Sequence, residues 1–227
     1  MMPHSGQTLV SIPSGRVRLD GMLELPPAAT GLVVFSHGSG SGRHSPRNQF
    51  VAQALRDAGL GTLLLDLLTP QEDENYETRF DIDLLTERLG DAVEFVRDQA
   101  RTTSLPVGLF GASTGAASAL RVAATRPADV EAVVSRGGRP DLTGNARLPQ
   151  VRAATLLIVG GRDYGVIELN QSAFALLHSE KHLAIVPGAT HLFEEPGALD
   201  EVARLAKNWF VGHLAKPASP GPRHAGS

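Results

Sequence analysis

The sequence predicts an α/β fold, a doubly wound and mostly parallel sheet with an antiparallel edge at its N-terminal side. Three observations carry this expectation. Short apolar runs alternate with amphipathic helical stretches along the chain. Runs such as Val107-Gly-Leu-Phe110 and Leu156-Leu-Ile-Val159 show no in–out alternation, which suits parallel strands covered on both faces. Connections are short, and 227 residues fit one such unit better than two. A single domain is therefore expected over residues 1–214.

Taken in order, Leu9 to Ile12 and Val17 to Leu25 read as two antiparallel strands. Pro13-Ser14-Gly15 turns between them, and Val17, Leu19 and Leu23 alternate with polar neighbours. Pro26-Pro27 closes this edge unit. Gly31 to Phe35 is the first parallel strand and ends in Ser36-His37. Arg47 to Ala58 follows as a helix with Phe50, Val51, Ala54 and Leu55 on one face, stopped by Gly59. Thr62 to Leu65 is a strand ending at Asp66, and Ile82, Leu85, Leu89, Val93 and Val96 mark a long helix. Between them, the acidic run from Gln71 to Glu77 is expected to be a solvated loop. Val107 to Phe110 is a strand; Thr114 to Arg126 is an alanine-rich helix that Pro127 ends. Ala132 to Ser135, Leu156 to Val159 and Leu183 to Val186 are the last strands. Ile167 to Leu177 and Val202 to Leu214 are helices, the latter with a stripe of Val202, Leu205, Ala206 and Trp209. The tail, 215–227, has too little apolar content to fold and is expected to be disordered.

Composition excludes several functions. The chain has no cysteine, so disulfides, thiolate metal sites and a cysteine nucleophile are ruled out. A formal net charge of −3 predicts neither a nucleic-acid nor a membrane surface. The N-terminus lacks the basic and apolar regions of a signal peptide, and no apolar run approaches membrane-spanning length, so a cytoplasmic location is expected. Eight histidines are present without H-E-x-x-H or comparable spacing, so no metal and no cofactor are expected. The oligomeric state is left open.

In an open parallel sheet, ligands bind past the carboxyl ends of the strands. The polar residues there are His37, Asp66, Ser113, Arg136, Asp163 and His191. Gly111-Ala-Ser113-Thr-Gly115 matches G-x-S-x-G at a strand-to-helix corner, where glycines let neighbouring backbones crowd in and the new helix aims free N–H groups at the hydroxyl. A serine hydroxyl is a weak nucleophile unless a base takes its proton. An imidazole does this near neutral pH, and a carboxylate fixes its tautomer. Ser113, Asp163 and His191 occur in the order nucleophile, acid, base, with Asp141 as reserve acid and Asp66 a weaker one. The loop His37-Gly38-Ser39-Gly40-Ser41-Gly42 suits an oxyanion hole, with the backbone N–H groups of Ser39 and Thr114 as donors and Gly40 as the substitute for Ser39. His37 is expected to hold this loop rather than react. The same loop fails G-x-G-x-x-G, since Arg43 or Ser45 stands where the third glycine belongs, and no P-loop Lys-Ser/Thr follows.

These pieces together resemble an α/β-hydrolase, in particular the small dienelactone-hydrolase-like branch. The resemblance rests on His37-Gly38-Ser39-Gly40, Gly111-Ala-Ser113-Thr-Gly115, Gly161-Arg-Asp163 and Gly188-Ala-Thr-His191. It implies the α/β-hydrolase fold and serine hydrolase chemistry on a small-molecule ester. Dienelactone hydrolases proper carry a cysteine nucleophile where this chain has Ser113, so a general serine esterase is expected. Only Arg136 to Ala153 separate two successive strands where a cap domain is usually inserted, so no large cap and an open site are expected. Arg43, Arg47, Arg136 and Arg139 cluster at this end, where they would suit a clamp on a carboxylate or phosphate of the substrate, with ordinary solvated surface arginines as the favoured alternative; Gly40, Arg43 and Arg136 are the candidate substrate contacts. Thioester hydrolysis, acyl transfer on the same fold, and a catalytically inactive binding protein remain open beside ester hydrolysis.

Overall fold

The computed structural model describes residues 6–214, and the disorder expected of 215–227 lies outside them. Eight strands form one sheet: β1 (Thr8–Ser14), β2 (Val17–Glu24), β3 (Leu32–Ser36), β4 (Gly61–Leu65), β5 (Val107–Ala112), β6 (Ala132–Arg136), β7 (Ala154–Gly160) and β8 (Lys181–Val186). Their order is β1-β2-β4-β3-β5-β6-β7-β8. β2 pairs antiparallel with both β1 and β4, and every other pairing is parallel. The expected antiparallel N-terminal edge on a parallel sheet is what forms.

Helices cover both faces: α1 (Pro46–Asp57), a single turn α2 (Pro70–Asp73), α3 (Ile82–Asp98), α4 (Thr114–Thr125), α5 (Tyr164–Leu176) and α6 (Ala198–Leu214). Along β3, Val34 packs with α3 and α4, while Val33 and Phe35 pack with α1 and α6. Two covered faces explain why the central strands read as unbroken apolar runs. Helix starts follow local chemistry. The Ser45 hydroxyl accepts from Asn48 N–H at 3.4 Å with Pro46 next in line, and Asp81 accepts from Leu84 N–H at 3.0 Å to start α3.

The acidic run departs from expectation. Thr69 and Glu72 form a reciprocal capping box that starts α2, so the segment from Pro70 is a helical turn. Glu72 also accepts from both terminal nitrogens of Arg88 on α3, at 2.7 and 2.5 Å. The Arg88 side chain is buried, and its Nη1 donates to Leu67 O as well. This guanidinium is the main cause of the Glu72 pKa falling to about 2. An acidic residue that seemed destined for solvent in fact neutralises a buried cation and pins the β4–α3 connection.

The chain leaves β3 toward β4 on one side and leaves β5 toward β6 on the other. Adjacent strands with diverging connections open a crevice at their carboxyl ends, and the loops after Ser36 and Ala112 face each other across it. The β6–β7 connection holds only two short 3₁₀ turns, Pro140–Thr143 and Leu148–Gln150, and no cap domain. No helix among the described residues is long and apolar enough to cross a membrane.

Candidate active site

Ser113 joins β5 to α4 with φ 51° and ψ −120°, a left-handed conformation that costs a non-glycine residue about 1–3 kcal/mol. The flanking glycines make that corner sterically feasible. A Cβ on Gly111 would lie 2.5 Å from Ala116 Cα, and one on Gly115 would lie 2.2 Å from Ser36 O. The corner is also tied down: Ser113 N–H donates to Arg136 O, and Ser113 O accepts from Ala116 and Arg139 N–H, each at 3.1 Å.

Asp163 leaves β7 at the start of α5, and His191 lies in the loop after β8. The two loops are laced together by Gly161 N–H to Val186 O at 2.8 Å and Arg162 N–H to Ala189 O at 2.9 Å. Gly160 permits this approach, since a Cβ there would sit 2.5 Å from Ala189 O. His191 Nδ1–H donates to Asp163 Oδ2 at 2.6 Å, leaving the Nε2 lone pair toward Ser113 Oγ at 3.3 Å. Hydroxyl, imidazole and carboxylate thus form one hydrogen-bonded line. The Ser113–His191 bond is the longer of the two.

The reserve acids are occupied elsewhere. Asp141 accepts two hydrogen bonds from Arg139, at 2.9 and 2.7 Å. Asp66 accepts Arg43 N–H at 2.6 Å and pairs with the Arg43 guanidinium, which also reaches Asp20 at 3.4 Å. The expectation that Arg43 contacts substrate meets this obstacle directly: two carboxylates already neutralise it on the rim.

On the facing loop, His37 is buried and neutral. Its Nε2 accepts Leu67 N–H at 3.0 Å, so the proton sits on Nδ1 and donates to Gly38 O at 2.9 Å. Burial, the largest influence, lowers its pKa. His37 therefore ties the loop to the end of β4, as expected. Gly38 lies close against Ser113: a Cβ added there would sit 3.0 Å from Ser113 Cβ. Gly40 adopts φ 69° to turn the loop. Ser39 N–H, expected as an oxyanion donor, donates to Thr114 Oγ1 at 3.1 Å. Thr114 N–H, first in α4, has no intrahelical acceptor.

A cleft of about 550 Å³ adjoins the loop, lined among others by His37, Ser39, Gly40, Arg47, Leu68 and Asp73. Its wall of Leu68, Pro70 and Asp73 includes one residue, Asp73, of the run expected to be solvated. Sequence reasoning also missed Glu195, which takes Thr190 N–H at 3.1 Å and its hydroxyl at 2.6 Å, bracing the residue before His191. Thr190 is the chief reason the Glu195 carboxyl titrates below its usual range. Buried Phe193, two residues beyond His191, holds φ 57°, a strain that no sequence pattern announces. Among the described residues, no group of three or more His, Asp or Glu side chains could hold a metal ion.

This sheet, with its serine corner and strand-end imidazole and carboxylate, defines an α/β-hydrolase. The family model described as serine aminopeptidase, S33, matches residues 27–138. The crystal structure of dienelactone hydrolase from Anabaena variabilis is 53% identical, with a TM-score of 0.91, covering 93% of this chain and 100% of that one. The chain belongs to the α/β-hydrolase superfamily, as a dienelactone-hydrolase-like protein. Est1E from Butyrivibrio proteoclasticus shares the fold at a TM-score of 0.79 and 14% identity, over 92% of this chain and 99% of its own. Two Mycobacterium tuberculosis proteins named "Putative phosphoribosyl transferase" are 55% identical over 212 residues, 93% of this chain but 48% of theirs. The chain spans about half the length of these curated relatives.

Proposed function

We propose that the protein is a serine hydrolase that cleaves small or medium carboxylic esters through an acyl-enzyme. The observation that carries this reading is the hydrogen-bonded line from Ser113 through His191 to Asp163. His191 Nε2 takes the Ser113 proton as Oγ attacks the ester carbonyl. Asp163 holds the ring and stabilises the imidazolium, which then protonates the departing alcohol. Water, deprotonated by the same imidazole, releases the acid and restores Ser113.

The oxyanion is received by Thr114 N–H and by Ser39 N–H, with Gly40 beside them. In the unliganded site Ser39 N–H rests on the Thr114 hydroxyl. A developing negative charge is the stronger acceptor and displaces that neutral oxygen. The short β6–β7 connection leaves the entrance open, in keeping with small or medium substrates. The reading needs no cofactor.

The mycobacterial relatives' name points to phosphoribosyl transfer. The match covers 48% of their length, and the glycine loop here lacks the third glycine of a phosphate-binding turn, so the proposal does not extend that activity to this chain. Thioester hydrolysis and acyl transfer use the same three residues. A panel of p-nitrophenyl esters, lactones and thioesters, with product analysis in added alcohol, separates them. Turnover of esters to free acids is expected. Dominant transfer to the alcohol, or turnover of thioesters alone, would overturn the ester assignment, and no turnover of any member would favour a binding protein.

A further inference from the structure

The arginines at the open end of the sheet differ in one respect. Arg43 is paired with Asp66 and Asp20, Arg139 with Asp141, and Arg47 with Glu194 at 3.1 Å. Arg136 has no carboxylate within ion-pair distance among the described residues, although its side chain belongs to a residue only 7% exposed. Its Nε and Nη1 are enclosed without any hydrogen-bond partner. The neighbouring charge that acts on it is Arg47, of like sign; burial first and Arg47 second lower its pKa to about 10, so it stays cationic at neutral pH.

A buried, uncompensated guanidinium is costly, and its orphaned donors add to the cost. Its position gives the anomaly a use. Arg136 ends β6 opposite Ala112, and its own carbonyl accepts the Ser113 N–H. Arg47 stands in the first turn of α1, lines the cleft beside His37, Ser39 and Gly40, and has an enclosed, unpartnered Nε of its own. The positive end of the α1 dipole adds to the field there.

We propose that Arg136, with Arg47, forms an anion subsite beside the nucleophile that takes a carboxylate or phosphate group. Binding supplies the missing counter-charge and the acceptors for the orphaned N–H groups, and the planar guanidinium favours an oxyanion over a halide. The group is either the acid end of a substrate, which rests on the proposed ester hydrolysis, or a free anion, which does not.

The test has two arms, each run on the wild type, Arg136→Met and Arg136→Lys. In the first, melting temperature is followed against inorganic phosphate at constant ionic strength. Phosphate is expected to raise the melting temperature of the wild type, to do so less for Arg136→Lys, and to leave Arg136→Met unmoved. In the second, kcat/KM is compared for p-nitrophenyl acetate and the mono-p-nitrophenyl ester of succinic acid. The anionic-to-neutral ratio is expected to fall by about ten- to a hundredfold in Arg136→Met. A ratio that falls assigns the group to substrate; stabilisation alone assigns it to a free anion. Equal phosphate stabilisation of the wild type and Arg136→Met, together with an unchanged ratio, would overturn the subsite. If the wild type hydrolyses neither ester, ester hydrolysis fails while the phosphate arm still decides the site. If Arg136→Met does not fold, Arg136→Lys decides by the same readouts.

Discussion

Replacing Gly115 by alanine probes the corner that presents Ser113. The added Cβ would lie 2.2 Å from Ser36 O and 2.5 Å from His37 O, both backbone atoms at the end of β3. Ordinary contact needs about 1 Å more, so either α4 backs away from the sheet or the His37–Gly40 loop is pushed outward. No rotamer relieves the clash, because a methyl has none to offer and the opposing atoms are carbonyls. Overpacking of this kind costs about 1–3 kcal/mol of stability. The larger effect is on rate: Thr114 and Ser39, the oxyanion donors of the proposed mechanism, lie on the two sides being driven apart, and a displacement near 1 Å costs about a hundredfold. Gly115→Ala is therefore expected to fold, to melt several degrees lower, and to lose about a hundredfold in kcat on a p-nitrophenyl ester while KM changes little. Circular dichroism melting and steady-state kinetics read both effects. A Gly115→Ala enzyme with wild-type melting and kcat within threefold would refute the argument from close approach.

Other expectations follow from single contacts. Asp163→Asn leaves the geometry but favours the wrong His191 tautomer, so kcat should drop by about ten-thousandfold, with nearly unchanged far-UV circular dichroism. The lowered pKa of His37 makes stability depend on pH. The unfolded chain takes up a proton near pH 6.5 while the folded one resists it, so the contribution is intact above that pH and lost as pH falls through the folded value. Denaturant titrations should show stability declining below pH 6.5 at up to about 1.4 kcal/mol per pH unit, with a shallower slope in His37→Gln. Glu72→Gln leaves Arg88 buried with a neutral partner and is expected to destabilise by about 1–2 kcal/mol, a figure kept low because the carboxylate is partly solvated. Equal melting of Glu72→Gln and wild type at pH 7 would dismiss that ion pair as a stabilising element.

The elements were legible because their signals are local. Unbroken apolar runs mark β3 to β7 since both faces of those strands are covered, and helix ends carry their own caps, as at Ser45 and Asp81. The serine corner was legible because glycines stand two positions either side of Ser113; the approach of Gly111 to Ala116 is local to that turn, whereas the approach of Gly115 to Ser36 crosses to β3. What stayed hidden depends on pairs far apart in the chain. Nothing near Glu72 announces Arg88, and nothing near Asp66 announces that Arg43 occupies it. Chain order favours Asp163 over the reserve Asp141, but the reason Asp141 is taken, its two hydrogen bonds from Arg139, is not visible in that order. The Ser39 to Thr114 bond was likewise invisible, since it joins loops after β3 and β5 that only the strand order makes adjacent.

The central claim is that the Ser113 hydroxyl is activated by His191 and Asp163. Its most direct measurement is labelling with a fluorophosphonate probe, followed by peptide mass mapping. A single adduct on Ser113, absent from Ser113→Ala and strongly slowed in His191→Ala and Asp163→Asn, is the expected result. Ser113→Ala should also lose on the order of a millionfold in kcat. An unlabelled Ser113, or labelling as fast in His191→Ala as in the wild type, would contradict the account.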